Sequence, residues 1–170
     1  MLDYNDPRWA ELENADDYTA EEITDLISRL DQSPLVDGDH ALWAQIWTLL
    51  SPAHRKPYSA AYAAVPHVVG FIAEHLDKAP AMYFRFPTLV ELRRIEYGGR
   101  VPPFLENDYR YSLMEMAGLA GNSYTWDSYT MASRLAAIAM SKGNPQMAKL
   151  ILMCETPQAV ECALNCLAHA

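Results

Sequence analysis

YSAAYAAVPHVVGFIAEH, residues 58–75, decides how the chain is read. Tyr58, Tyr62, Val65, Val69, Ile72 and, just beyond, Leu76 recur at alternating four- and three-residue steps, the spacing of one helical face. The stretch is therefore read as one long helix, about 58 to 77, with that stripe as its core seam. Pro66 lacks an amide hydrogen and would clash with the carbonyl of Tyr62, so it kinks the helix or begins a new one. His67, Phe71 and His75 step by four on a different face. His67 and His75 are about 12 Å apart at 1.5 Å per residue, too far to share one ion. His67 reads as a structural hydrogen-bonding residue or as the lining of a partner groove.

Helical signals continue on both sides. Asp6-Pro7 places a cap and a first-turn proline before Trp9 and Leu12. Thr19 and Glu22 form a capping box ahead of Ile23, Leu26, Ile27 and Leu30. Asp37 or Asp39 caps a helix that carries Leu42, Trp43, Ile46 and Trp47 and closes at Pro52. A helix entered near Pro87 stops at Gly98-Gly99, and another covers 106–120 and ends at Gly121-Asn122. Asp127 caps 128–142, Asn144-Pro145 starts a helix to about 154, and Thr156-Pro157 starts the last. That makes about nine helices and no strand, because no run alternates β-branched residues between turn signals.

SRLAAIAMS and VECALNCLA, within 133–141 and 160–168, carry apolar side chains on several faces. Helices of that kind are expected to pack on two sides, and layered helical pairs supply such an environment repeatedly. Pairs can be drawn at 58–77 with 87–98, 106–120 with 128–142, and 145–154 with 158–168. The fold class is all-α: a short right-handed α-solenoid, or α-α superhelix, of degenerate helical pairs. Residues 1–170 form a single domain, with 1–40 as an acidic N-terminal cap and 41–170 as the stacked pairs.

Charge narrows the functional classes. The net charge is −9, which argues against a nucleic-acid partner and against docking on an anionic membrane. Residues 1–40 hold twelve acids against two bases, a net of −10, and the remainder is close to neutral. The acidic segment is either a solvated helical face or a surface that steers a basic partner. Three cysteines, all after residue 150, do not make a disulfide framework. There is no secretory signal and no run of about 18 apolar residues, so a cytoplasmic location is expected.

Candidate chemistry is sparse. Cys162, Cys166 and His169 share a helical face and Cys154 lies in the preceding helix, but the spacing matches no standard zinc module. Asp37-Gly38-Asp39-His40 lacks further ligands at calcium-loop spacing and reads as a helix cap. No phosphate loop or nucleophile elbow occurs. No metal, cofactor or catalytic residue is expected. Residues 84–111 combine arginines with aromatics, the pairing enriched at protein interfaces. Arg85, Arg93, Arg94, Tyr97, Arg100 and Tyr109, with His67, are the candidate partner-binding residues. The competing reading pairs Arg93 and Arg94 internally, with Glu91, Glu96 or the acidic N-terminal helices.

LWAQIWTLLSP, YSAAYAAVPHVVGFIAEHL and FPTLVELRRIE, covering roughly 40–98, resemble the bacterial HEAT-like repeat proteins. In those a Tyr/Ala-rich segment runs into an "AVPHLV" motif and an apolar helix; Ala63–Val69 holds that place here. The resemblance implies a binding scaffold without common chemistry, and some members resemble immunity proteins of polymorphic toxins. The expectation is a non-enzymatic module for a protein partner, with a basic partner as the electrostatic match. Two alternatives stand beside it. One is a ligand-binding protein or enzyme with a pocket of Tyr58, Tyr62, His67, Trp43 and Trp47. The other is a homodimer through the C-terminal helix.

Overall fold

A computed structural model describes residues 1–15, 18–32, 40–51, 56–122 and 127–168, with backbone alone at 31–32, 40–41, 128, 163 and 166–168. These residues form a short 3₁₀ helix, Pro7–Glu11, and eight α-helices, with no strand among them. The α-helices are α1 Ala20–Gln32, α2 His40–Leu50, α3 Ser59–Glu74, α4 Ala81–Glu96, α5 Glu106–Gly121, α6 Ser128–Ser141, α7 Pro145–Met153 and α8 Pro157–Ala168. The all-α reading holds.

The caps are those the local chemistry demands. Glu22 accepts from the Thr19 amide while the Thr19 hydroxyl accepts from the Glu22 amide, closing the capping box. Asp127 accepts from the amides of Tyr129 and Thr130, and Asn144 from that of Met147. Gly98 and Gly143 follow α4 and α6 with φ of 68° and 74°, the left-handed C-terminal stop that favours glycine. The expected cap at Asp37 or Asp39 and the stop at Pro52 lie outside the described residues.

One boundary differs from expectation. Pro87 does not open its helix; α4 begins at Ala81 and runs through it. Burial explains the difference. Tyr83, Phe84 and Phe86 all point into the core, so packing holds those upstream turns helical although proline removes one hydrogen bond. Pro66 likewise lies within an uninterrupted α3.

α3 has almost no solvent face. Every side chain from Ala60 to Val69 is buried, as are Phe71 and Ile72. The expected seam is therefore one part of a helix enclosed on all sides. α1, α2, α4 and α5 each pack against it, and the alanines let them approach. Further along, α4 packs on α6 and α7, α5 on α6, and α6 on α7. A continuous core runs from Leu2 to Ala137. A smaller cluster, Ala136, Met140, Ala148 and Leu152, lies between α6 and α7. The drawn pairs α3–α4 and α5–α6 do pack. α7 packs chiefly on α6 instead, and α8 makes only sparse contact with the other helices.

His67 fastens the N-terminal segment to α3. Its Nε2 lies 2.9 Å from the carbonyl oxygen of Leu2, the ring stacks on Tyr4 at 4.5 Å, and Trp9 lies 6.1 Å away. The ring is buried, so it faces this segment rather than a groove. His67→Ala is expected to destabilise the fold by about 2–4 kcal/mol, from the lost packing and the lost hydrogen bond. Urea unfolding checks the magnitude. Limited proteolysis should show residues 1–12 cleaved first.

Candidate functional site

The densest polar cluster joins the C-terminal turn of α4 to α5. Glu91 accepts from Arg94 twice, Nε to Oε2 at 2.6 Å and Nη2 to Oε1 at 2.8 Å. The Tyr109 hydroxyl donates to the same Glu91 Oε2 at 2.8 Å. The Arg94 guanidinium is held above its ordinary pKa by that hydrogen bond to Glu91. Tyr109 is 1% exposed, and burial together with the Glu91 charge raises its phenol well above the ordinary value. Tyr62 packs edge-on to Tyr109 at 5.3 Å. Burial pushes the Tyr62 phenol up to about 12, with the nearby Arg94 opposing the shift. Among the described residues the Tyr62 hydroxyl has no hydrogen-bond partner. It abuts Gly99, where any Cβ would collide with it.

This cluster floors an open cleft of about 650 Å³ between the C-terminal ends of α4 and α6 and the first half of α5. Val101, Leu113, Met114 and Met140 supply apolar walls, and Arg100, Glu106 and Arg110 stand at the cleft. Glu106 pairs with Arg110 at 2.6 Å.

Of the candidate residues, Arg94, Arg100 and Tyr109 come together here. The others do not. Arg93 turns toward α2, where Nη1 donates to the Ser51 carbonyl and hydroxyl oxygens, each at 2.7 Å, and its guanidinium lies over Trp47. It thereby caps the end of α2, and burial lowers its pKa. Arg85 forms an ion pair with Glu155 at the α7–α8 junction and lies over the Tyr129 ring. Tyr97 is exposed at the end of α4. Among the described residues neither Arg93 nor Arg94 pairs with a carboxylate of the acidic N-terminal segment. The aromatic residues of the alternative pocket also diverge. Trp43 and Trp47 pack on Phe86, Tyr62 on Tyr109, and His67 on Tyr4.

A second recess lies among α6, α7 and α8. It is an open apolar groove of about 670 Å³ lined by Met131, Leu135, Leu150, Val160 and Leu164, among others. These five side chains are 39–60% exposed. The two-sided packing expected of the C-terminal helices is met by α6, which packs on α4, α5 and α7, whereas α8 makes sparse contact with other helices and its described side chains at 160–162, 164 and 165 are exposed. The signal was present in the apolar circumference of VECALNCLA, but periodicity does not say whether a neighbour covers it. Arg134, fully buried over Phe84 at 4.8 Å, is another residue the pattern does not single out.

Cys154 is half-buried beside the groove and Cys162 is exposed. The Cys166 side chain and His169 lie outside the described residues. Among the described residues no three His, Cys, Asp or Glu side chains group as metal ligands, and no helix is long and apolar enough to cross a membrane. The chain matches no protein-family model, no curated protein and no solved structure.

The two tyrosines should respond oppositely to loss of the hydroxyl. Tyr62→Phe removes a buried hydroxyl without a partner and is expected to be neutral or slightly stabilising. Tyr109→Phe strips a donor from Glu91 and should cost about 1–2 kcal/mol. Urea denaturation of both variants checks this. The pH dependence follows from Tyr62. Its folded pKa of about 12 lies above the value near 10 of an unfolded tyrosine. Between these values the unfolded chain has shed a proton that the folded chain keeps, so stability falls as pH rises. Stability is fully retained below pH about 10 and should decline toward pH about 12, less steeply in Tyr62→Phe. Denaturation followed across that range, with tyrosinate absorbance as the second probe, measures it.

Proposed function

We propose that this chain is a non-enzymatic protein-binding module that docks a helix of its partner in the groove of α6, α7 and α8. The observation that carries this reading is the exposure of Met131, Leu135, Leu150, Val160 and Leu164 along one continuous recess. Contiguous exposed apolar surface of this kind marks interaction sites on folded proteins. Methionine at such a surface adapts to a partner's shape, and an amphipathic helix fits an apolar groove through anchors at three- and four-residue spacing. The charged residues lining the groove are Glu155, already paired with Arg85, and Glu161, whose carboxylate favours a lysine or arginine beside the partner's apolar stripe.

The neighbour pattern supports a solenoid reading of the scaffold. α1 meets α2 and α3, α3 meets α4 and α5, and α4 meets α5 and α6, so from α1 to α6 each helix packs on the next, the next but one, or both, while α4 also touches α7. Stacked helical hairpins of the HEAT-like kind produce that ladder. In this reading the acidic N-terminal helices form the polar cap. An immunity-like role, masking a basic toxin, is its concrete form and rests on the resemblance of residues 40–98.

The test pairs the wild type with Leu135→Glu and Leu150→Glu, both surface changes that leave the core intact. A fluorescent 18-residue helix of leucine and lysine should bind the wild type and lose at least about tenfold in affinity in either variant, since each variant removes an apolar anchor and buries a charge. Equal binding by wild type and variants removes the groove as the docking face. Light scattering on the same proteins identifies the homodimer alternative, which would appear as a concentration-dependent dimer abolished by Leu150→Glu.

A further inference from the structure

From the cleft floored by Glu91 and Tyr109, we infer a second, independent binding site, for a small carboxylate that carries an aliphatic chain. Three arginines and two glutamates line this cleft. Glu91 is already saturated, with both oxygens taken by Arg94 and one shared with Tyr109. Glu106 is matched by Arg110 on the next turn of α5. Arg100 is left over. It is exposed and makes no hydrogen bond or ion pair among the described residues.

Arg94 retains donor capacity as well. Its third contact, Nη1 to the Gly99 carbonyl, is long at 3.4 Å. A guanidinium presents its donors in a planar fork that matches a carboxylate, so an unpaired arginine beside a half-used one is a fit for that group. The C-terminal ends of α4 and α6 oppose an anion, since their carbonyls point outward there. The side-chain balance of the lining nevertheless remains positive by one charge.

The rest of the cleft fixes the other half of the ligand. Leu113, Met114 and Met140 form an apolar wall, and Met114 is 69% exposed. A fully polar anion such as phosphate would leave that wall in water, whereas an aliphatic carboxylate covers it. Arg100 also borders a neighbouring cleft of about 630 Å³ that contains Glu11 and Glu13. Glu13 is held by Lys56 at 3.2 Å, and neither Glu11 nor Glu13 pairs with Arg100 among the described residues.

Isothermal calorimetry with octanoate as the probe tests the site. Wild type should bind one octanoate saturably. Arg100→Glu, which breaks no hydrogen bond or ion pair among the described residues, should weaken binding at least about tenfold. Methyl octanoate and octylamine, matched in chain length, should bind no better than that variant does. Leu150→Glu, in the distant α6–α8 groove, should bind octanoate like wild type, so failure of the protein-binding reading leaves this result untouched. No saturable heat, equal binding of the methyl ester, or an unchanged affinity in Arg100→Glu overturns the inference. Loss of binding in Leu150→Glu alone would assign the octanoate to the other groove and overturn it too.

Discussion

The fold depends on a helix that cannot face water. Along α3 every side chain from Ala60 to Val69 is buried, so α3 is stable only when neighbours enclose it on all sides. α1, α2, α4 and α5 do so, and the N-terminal segment covers the turn that carries His67. Alanine makes this geometry attainable, because small side chains allow several helices to approach one axis. The same requirement explains the prolines. Pro66 and Pro87 each remove a helical hydrogen bond, yet both sit in helices whose burial from all sides outweighs that cost.

Polar groups inside the structure follow the same logic of enclosure. Arg93 spends its donors on the end of α2, Arg94 on Glu91, and Arg85 on Glu155. Arg93 and Arg85 thereby tie α4 to the end of α2 and to the α7–α8 junction, whereas Arg94 pairs within α4. Glu91 is central because it satisfies an arginine of its own helix and a tyrosine of the next one. Within the arginine–aromatic segment Phe84, Phe86, Arg93, Arg94 and Tyr109 are thus engaged inside the fold, while Tyr97, Arg100, Phe104, Arg110 and Tyr111 stand exposed.

Exposure is distributed unevenly along the chain. The N-terminal helices present carboxylates outward and bury Ile23, Ile27 and Leu30, as an amphipathic cap does. The C-terminal helices bury Ala136, Met140, Ala148 and Leu152 but leave Leu135, Met147, Leu150, Met153 and Leu164 exposed. An acidic end and an apolar end thus flank a fully packed middle. The proposed docking groove and the proposed carboxylate site both lie toward the apolar end, on different sides of α6.

Local chemistry by itself determined the class and most of the boundaries. Thr19 with Glu22, Asp127, Asn144, Gly98 and Gly143 act through their nearest backbone neighbours, so their effects are legible without a fold. The helix start at Ala81 was not legible, because Pro87 is a strong local signal and only the burial of Tyr83, Phe84 and Phe86 overrides it. The destinations of Arg85 and Arg93 were likewise undecided, since a charge whose partner is distant in sequence reveals it only when the segments meet, whereas Glu91 was a local partner for Arg94. His67 shows both sides. Its place on α3 follows from periodicity, but its partner at Leu2 is 65 residues away and belongs to the tertiary structure. α8 is the remaining case: the sequence determined that it is apolar, and only the packing of α6 and α7 decided that Val160 and Leu164 stand exposed.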